Sequence, residues 1–297
     1  MLSREPCPAL RPFIAQLWAS GPAPQVLLRP MRERVLPTGC AHLVFRPDAP
    51  PLRVFDLRTR TLAAELTRCV LAGPRSLAYE RSTHSRAPSV GAVLRAGAAR
   101  SIVRSPLTNI AEQHFDARDV LGPSVDELCE RLADARSAAQ QLDELEAFLL
   151  AIVASATPLS TMVRRAVRDL ERDPNTPISA LVAQSNASHR HFCATFEAHV
   201  GLTPKRFARV RRFDRAARAL AVEGVGVERL AAIAARLGFS DQAHLSREFA
   251  AHSALTPSEY LRATPVEHRH VPIHDRSILF KTRAIEPPMI GAQRSRE

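Results

Sequence analysis

The stretch "GFSDQAHLSREF", residues 238–249, closes one apolar-periodic run at Gly238 and opens another within three residues, at Ser240-Asp241. Upstream, "VERLAAIAARLGF" (227–239) sets Leu230, Ile233, Ala234 and Leu237 at helical intervals, and downstream Leu245 and Phe249 lie four apart. A glycine can take the positive φ of a tight turn, and a small Ala234 lets the next helix cross closely. The spacing predicts a helix-turn-helix. Its second helix is short because one side packs on the first helix, which leaves Gln242, His244, Ser246 and Arg247 facing a groove.

The unit occurs twice. "FCATFEAHVGLTPKRF" (192–207) aligns with "LSREFAAHSALTPSEY" (245–260) at a constant offset of 53 residues. Each copy ends a helix, turns, and starts another with Thr as N-cap and Pro at the first helical position. The first copy, "ISALVAQSNASHRHF" (178–192), is the weaker one. Asn186, which tolerates the left-handed region, stands for Gly238, Val182 replaces Ala234, and Ser185 replaces Leu237. Between the copies, "PKRFARVRRFDRAARALA" (204–221) reads as a long helix with Phe207, Val210, Ala217 and Leu220 inward. Lys205, Arg206, Arg209 and Arg212 crowd its other surface, either as a solvated face or as contacts to phosphate. Such a helix would hold two reading units apart, as adjacent major-groove windows about 34 Å apart require.

Charge supports a polyanionic partner for this half. The net charge is +11, with 19 Lys and Arg against 16 Asp and Glu in residues 1–159, and 22 against 14 in residues 160–297. Five scattered cysteines without a C-x-x-C argue for reduced thiols rather than a disulfide framework or a zinc site. No signal-peptide core and no apolar run of membrane-spanning length is present, so a cytoplasmic protein is expected. No nucleophile elbow, P-loop, dinucleotide fingerprint or paired-carboxylate spacing occurs, and with 11 glycines the chain is poorly supplied for a phosphate-cradling loop. An enzyme is therefore not expected.

Residues 1–122 are rich in proline and in strand-length apolar runs: "RERVLP", "AHLVF", "RVFDL", "RCVLAG", "VGAVL" and "RSIV". They predict a small β sandwich or barrel. Residues 123–158 open at Pro123-Ser124, where Ser124 and Glu127 have capping-box spacing, and continue as a helical segment. That segment is either a helix pair packed on the first domain or one that also serves a dimer interface. The double helix-turn-helix occupies 159–263, and the tail, 264–297, is expected to be irregular.

"GFSDQAHLSREF…LTPSEYLR" and "SHRHFCATF…GLTPKRFARVRRFDRA" resemble the two helix-turn-helix motifs of the AraC/XylS family of bacterial transcriptional regulators, over roughly residues 160–262. "VLPTGCAHLVF" with "LAGPRS" looks like the cupin-like N-terminal domain of some members. The resemblance implies an α+β two-domain chain: a cupin-like β domain with a following helical segment, then an all-α domain with two helix-turn-helix motifs joined by a long helix. It also implies that DNA is read by His189, Arg190 and Cys193 in the first copy and by Gln242, Ala243, His244, Ser246 and Arg247 in the second. Arg suits guanine, Gln adenine, and Ala a thymine methyl. The family often has Arg at the position of Ala194 and Gly at that of Ala254, so the second motif is expected to carry more of the specificity.

The implied function is sequence-specific regulation of transcription, effector-responsive, more often activation than repression. The implied partners are double-stranded DNA, RNA polymerase, a small-molecule effector and a second copy of the chain as a homodimer, with no membrane. The effector-binding residues are not readable from sequence. The alternative is a cupin-type metalloenzyme fused to a DNA-binding module, and a third reading gives the first domain a dimerising role alone. His42, His84 and His114 are the residues a metal would use, but they lack the His-x-His plus Glu spacing of a ligand set, so no metal and no cofactor is expected.

Overall fold

Along "HLVF" (42–45) half-buried and buried side chains alternate, as they must when one strand has two different neighbours above and below it. The structure, a computed structural model, describes residues 1–21, 32–57, 59–82, 88–224, 227–265 and 268–273. Among the described residues ten strands come before residue 117: β1 (Leu2–Arg4), β2 (Ile14–Ser20), β3 (Arg32–Val35), β4 (His42–Phe45), β5 (Leu52–Phe55), β6 (Leu62–Leu66), β7 (Cys69–Ala72), β8 (Tyr79–Ser82), β9 (Ser89–Leu94) and β10 (His114–Asp116). The eleventh, β11 (His270–Ile273), comes from the far end of the chain.

They form two antiparallel sheets. The first runs β1-β2-β9-β4-β7-β10 and the second β11-β3-β8-β5-β6. Leu43, Phe45, Cys69 and Leu71 on one face of the first sheet meet a helical layer, where Phe45 and Phe148 set their rings edge to face at 6.2 Å. Val44 and Val70 on the other face meet Leu52, Val54 and Leu66 of the second sheet.

The helical layer comprises α1 (Ala99–Val103), α2 (Ala117–Leu121), α3 (Ser124–Asp134) and α4 (Ala138–Val153). Leu142, Leu145, Phe148 and Leu149 of α4 are all buried, so α3 and α4 complete the core of the β domain. Two sequence expectations fail here. "RSIV" is helix α1 rather than strand, and α3 begins with Pro123 as N-cap and no side-chain cap, so Ser124 closes no capping box.

Seven further helices follow among the described residues: α5 (Thr161–Arg172), α6 (Ile178–Ala183), α7 (His189–Val200), α8 (Pro204–Glu223), α9 (Val227–Arg236), α10 (Gln242–Ser253) and α11 (Pro257–Arg262). They build two cores, and each core admits residues of the β domain. Cys40 and Ala96 pack with Phe192, Phe196 and Phe207; Leu36 and Ala78 pack with Phe213, Leu245, Phe249 and Tyr260.

The expectation of an irregular tail is corrected for the part described. Residues 270–273 pair antiparallel with 35–32, so the chain leaves the last helix and returns to the edge of the second sheet. Pro272 fits because an edge strand has one ladder side to spare. Residues 266–267 and 274–297 of that tail, with Lys281 among them, lie outside the described residues.

Candidate nucleic-acid interface

The repeat is geometric as well as textual. Helices α7 and α10 have 12 residues each, and the 53-residue offset relates both their first residues and their last. Ser188 accepts from the backbone N–H of His191, and Asp241 from that of His244 at 2.6 Å. Thr203 and Thr256 cap α8 and α11, and Thr256 with Glu259 forms a true capping box. Both reading helices end in the left-handed region, at Gly201 (φ 80°) and at Ala254 (φ 54°). Gly201 is obligatory for a second reason: a Cβ there would sit 2.4 Å from Pro74 of the β domain.

The buried side of α7 is Phe192, Phe196 and Val200; that of α10 is Leu245, Phe249, His252 and Ser253. What remains is the outer face, where the residues expected to read DNA lie. In the first copy His189 and Arg190 are exposed, and Cys193 is half-buried with its Sγ 3.9 Å from the His189 ring nitrogens. In the second copy Ala243 and Arg247 are exposed, while Gln242, His244 and Ser246 are half-buried. His244 has a structural task too. Its Nδ1 accepts from the Ser240 N–H at 3.2 Å and its ring meets Phe239 edge-on, so it helps fold the turn. The hydrogen bond from the His244 N–H, helped by Ser240 and by the charge of Arg247, draws the Asp241 carboxyl below its usual range.

The offset places Arg190 opposite Ala243 and Ala194 opposite Arg247. Each reading helix therefore shows one of these arginines, one turn further along in the second copy than in the first. A guanidinium fork on a helix of this kind can pair with guanine O6 and N7, and Gln242 can pair with adenine.

The arginines of α8, expected as contacts to phosphate, all hold partners within the protein. Arg206 donates to Ser76 Oγ at 2.6 Å and to Glu112 at 3.2 Å, both in the β domain. Arg209 holds Glu248 of α10 in a two-pronged pair at 2.8 and 2.7 Å. Arg212 donates to Asn175 Oδ1 and to the Gly238 carbonyl, and lies 4.8 Å from the Phe239 ring centre. Arg211 reaches the Thr38 carbonyl at 3.1 Å. Only Lys205 of the four predicted residues is both exposed and without an ion pair to another described residue.

An exposed basic stripe lies elsewhere, on α5, and the sequence reading missed it. Val163, Ala166, Val167 and Leu170 are buried, which turns Arg164, Arg165 and Arg168 to the opposite side, with no ion pair among the described residues. The alternation in "TMVRRAVRDLER" was the available signal.

Between the two sheets lies a polar group. Thr38 Oγ1 is 3.1 Å from His42 Nε2, and the His114 ring meets Tyr79 at 4.4 Å, beneath the Arg75 guanidinium. Burial, with Arg269 and His270 adding to it, lowers His42 to about 4; burial, with Arg75 and Arg81 adding, lowers His114 to about 3. His114 Nε2 is buried without a hydrogen-bond partner. Burial opposes ionisation of Glu33, yet Arg81 and His270 outweigh it and hold the carboxyl at about 2. Among the described residues no group of three or more His, Cys, Asp and Glu is arranged to hold a metal ion, and His84 lies outside them. Among the described residues no helix is long and apolar enough to cross a membrane.

Two family models match the chain: "Helix-turn-helix domain" over residues 181–263, and "Domain of unknown function (DUF6597)" over residues 3–116. Among solved structures, ToxT from Vibrio cholerae O395 is 14% identical, with 83% of this chain and 95% of that one covered and a TM-score of 0.41. ToxT from Vibrio cholerae strain SCE256 with a bound unsaturated fatty acid is 13% identical, with 82% and 93% covered and a TM-score of 0.41. The C-terminal domain of AraT, a response regulator from Geobacillus stearothermophilus, is 20% identical, with 37% and 92% covered and a TM-score of 0.33. No curated protein matches the chain significantly.

Proposed function

We propose that the protein is a transcriptional regulator of the AraC type that reads two adjacent DNA half-sites, one with α7 and one with α10; the helix-turn-helix domain matched over residues 181–263 supports this reading. The carrying observation is the pair of equal-length reading helices at a fixed offset, each with one of the offset arginines, Arg190 or Arg247, exposed on its outer face. His189, Arg190 and Cys193 read one half-site, and Gln242, Ala243, Ser246 and Arg247 the other, with His244 beside them. Arg164, Arg165 and Arg168 of α5, with Lys205, neutralise phosphates.

The β domain is the sensory part in this reading. The unpartnered Nε2 of His114, buried between the two sheets, is the group that a small polar effector would satisfy. Activation through RNA polymerase and a homodimeric state follow from the resemblance and complete the proposal.

Selection of binding sites from a random DNA library with the full-length protein is the test. A motif of two unlike half-sites is expected. Replacing Gln242 and Arg247 by Ala should erase the half-site read by α10, with about 1–3 kcal/mol lost for each good base contact. The Arg190/Cys193 double variant should erase the other with a smaller loss. Salt-sensitive binding without a motif would overturn the reading.

A further inference from the structure

Cys69 on β7 and Cys129 on α3 place their sulfurs 3.6 Å apart, across the contact between the first sheet and its helical layer. We propose that these two residues form a reversible thiol–disulfide pair that responds to hydrogen peroxide. All five cysteines are free thiols, and Cys69 and Cys129 are a pair in hydrogen-bond contact. Closing the gap to a bond of about 2.0 Å asks for a movement of about 1.6 Å, small for two side chains that already point at each other.

The surroundings suit an attacking sulfur at Cys129. This residue, 2% exposed, lies at the wall of a surface cleft of about 300 Å³ that Asp48, Arg68 and Glu130 also line, so a small oxidant in the cleft has only a thin layer of protein to cross. The hydrogen bond shared with Cys69 draws the Cys129 thiol below its ordinary value; burial opposes this and the charge of Arg68 reinforces it. The same contact and burial push Cys69 up, so it keeps its proton until it is needed. Asp116 Oδ1 lies 3.8 Å from the Cys69 sulfur, ready to accept that proton.

The chemistry balances in two steps. The Cys129 thiolate attacks one peroxide oxygen, the O–O bond breaks, and the departing hydroxide takes up a proton and leaves as water. Cys129, oxidised by two electrons, is then a sulfenic acid. Cys69 loses its proton and attacks the Cys129 sulfur; the S–S bond forms, the S–O bond breaks, and the oxygen departs as a second water. Two thiols and one hydrogen peroxide thus give one disulfide and two waters, and a dithiol reverses the reaction by exchange.

The position of the pair gives the reaction a route outward. Strand β7 runs directly into residues 73–78, where Ser76 Oγ accepts from Arg206, the Ser76 carbonyl bonds His252, and the Ala78 N–H donates to the His252 carbonyl. A cross-link that shifts β7 against α3 acts on the segment that seats α8 and α10.

Full-length wild-type protein is treated with one equivalent of hydrogen peroxide, alkylated, digested without reductant and mapped by mass spectrometry. A Cys69–Cys129 cross-linked peptide, removed by dithiothreitol and absent from Cys129→Ala protein, is the expected result. Oxidation at Cys193 or Cys7 with Cys69 and Cys129 still alkylatable would overturn the proposal, as would irreversible sulfinic acid at Cys129. The wild-type map needs no variant to fold, and its outcome is independent of whether the protein reads DNA.

Discussion

Asp214 is 2% exposed, yet its carboxylate is charged, because Arg269 lies 3.0 Å away, Arg218 3.3 Å, His268 3.5 Å and Arg211 3.7 Å. Burial works against ionisation there, but His268 and Arg269 hold the carboxyl well below the usual range. Asp214→Ala would leave several guanidinium groups facing an apolar void, and a loss of about 3–5 kcal/mol in chemical denaturation is expected. Ala254 holds φ 54°, a left-handed conformation, secured by Arg34 donating to its carbonyl at 2.8 Å. Ala254→Gly relieves that strain and should raise stability by about 1 kcal/mol, visible as a higher Tm. The two histidines between the sheets contribute to the pH response, beside His252 and His199, whose values burial also lowers. His42 and His114 are neutral in the folded protein, with folded values of about 4 and 3 against an unfolded value near 6.5. Unfolding therefore takes up protons below pH ~6.5. The stabilisation is complete above that value and is lost as pH falls toward 4 and then 3, at up to about 1.4 kcal/mol per pH unit for each ring. A Tm that stays flat between pH 7 and 4, or a His42→Gln/His114→Phe variant with the same slope as wild type, would refute this.

At the scale of the helix, α5 and α8 both carry many arginines, and their partners separate them. Replacing Arg164, Arg165 and Arg168 by Gln should lower the salt dependence of DNA binding by about one unit of slope for each residue, at little cost to folding. Replacing Arg206, Arg209 and Arg212 should do the reverse: Tm falls because Ser76, Glu248 and Asn175 lose their donors, and the slope stays close to wild type. Sequence could not make that distinction. Exposure of α8 follows from its helical period, but the occupants of its surface come from residues 38, 76 and 112, far away in the chain. The starts of α8, α10 and α11, by contrast, were legible at Thr203-Pro204, Ser240-Asp241 and Thr256-Pro257, because N-cap, Pro and turn signals act within a few residues. "RSIV" failed for the related reason that a short apolar run cannot be told from a buried helix by period alone. Strand β11, with Pro272 in its centre, has no local signal; its pairing with β3 decides it.

The whole molecule is tied at both ends of its helical domain. The chain enters through α4, whose buried side belongs to the β domain, and leaves through β11, which is a strand of that same domain. Tyr260 donates to the His268 carbonyl at 2.8 Å and Arg269 joins Asp214, so the exit is stitched to the second reading unit as well. Truncation after Thr264 should strip hydrogen-exchange protection from the amides of Arg32–Val35 that face β11, and should lower Tm; unchanged protection in that strand would show that β11 does not hold the domains together. Sequence composition divided the chain correctly into a β part and a helical part. It gave no hint that Leu36, Ala78, Cys40 and Ala96 are shared between their cores, since an apolar side chain does not announce which domain will bury it.

On the proposed reading, the shift of the exposed arginine by one turn, from Arg190 in one helix to Arg247 in the other, makes the protein a vector on DNA. A single chain on a duplex has a leading end and a trailing end, and turning its operator end for end is not a symmetry of the complex. The same site inverted beside a promoter would point the other face of the protein at the start of transcription, so orientation, as much as sequence, becomes part of the regulatory address.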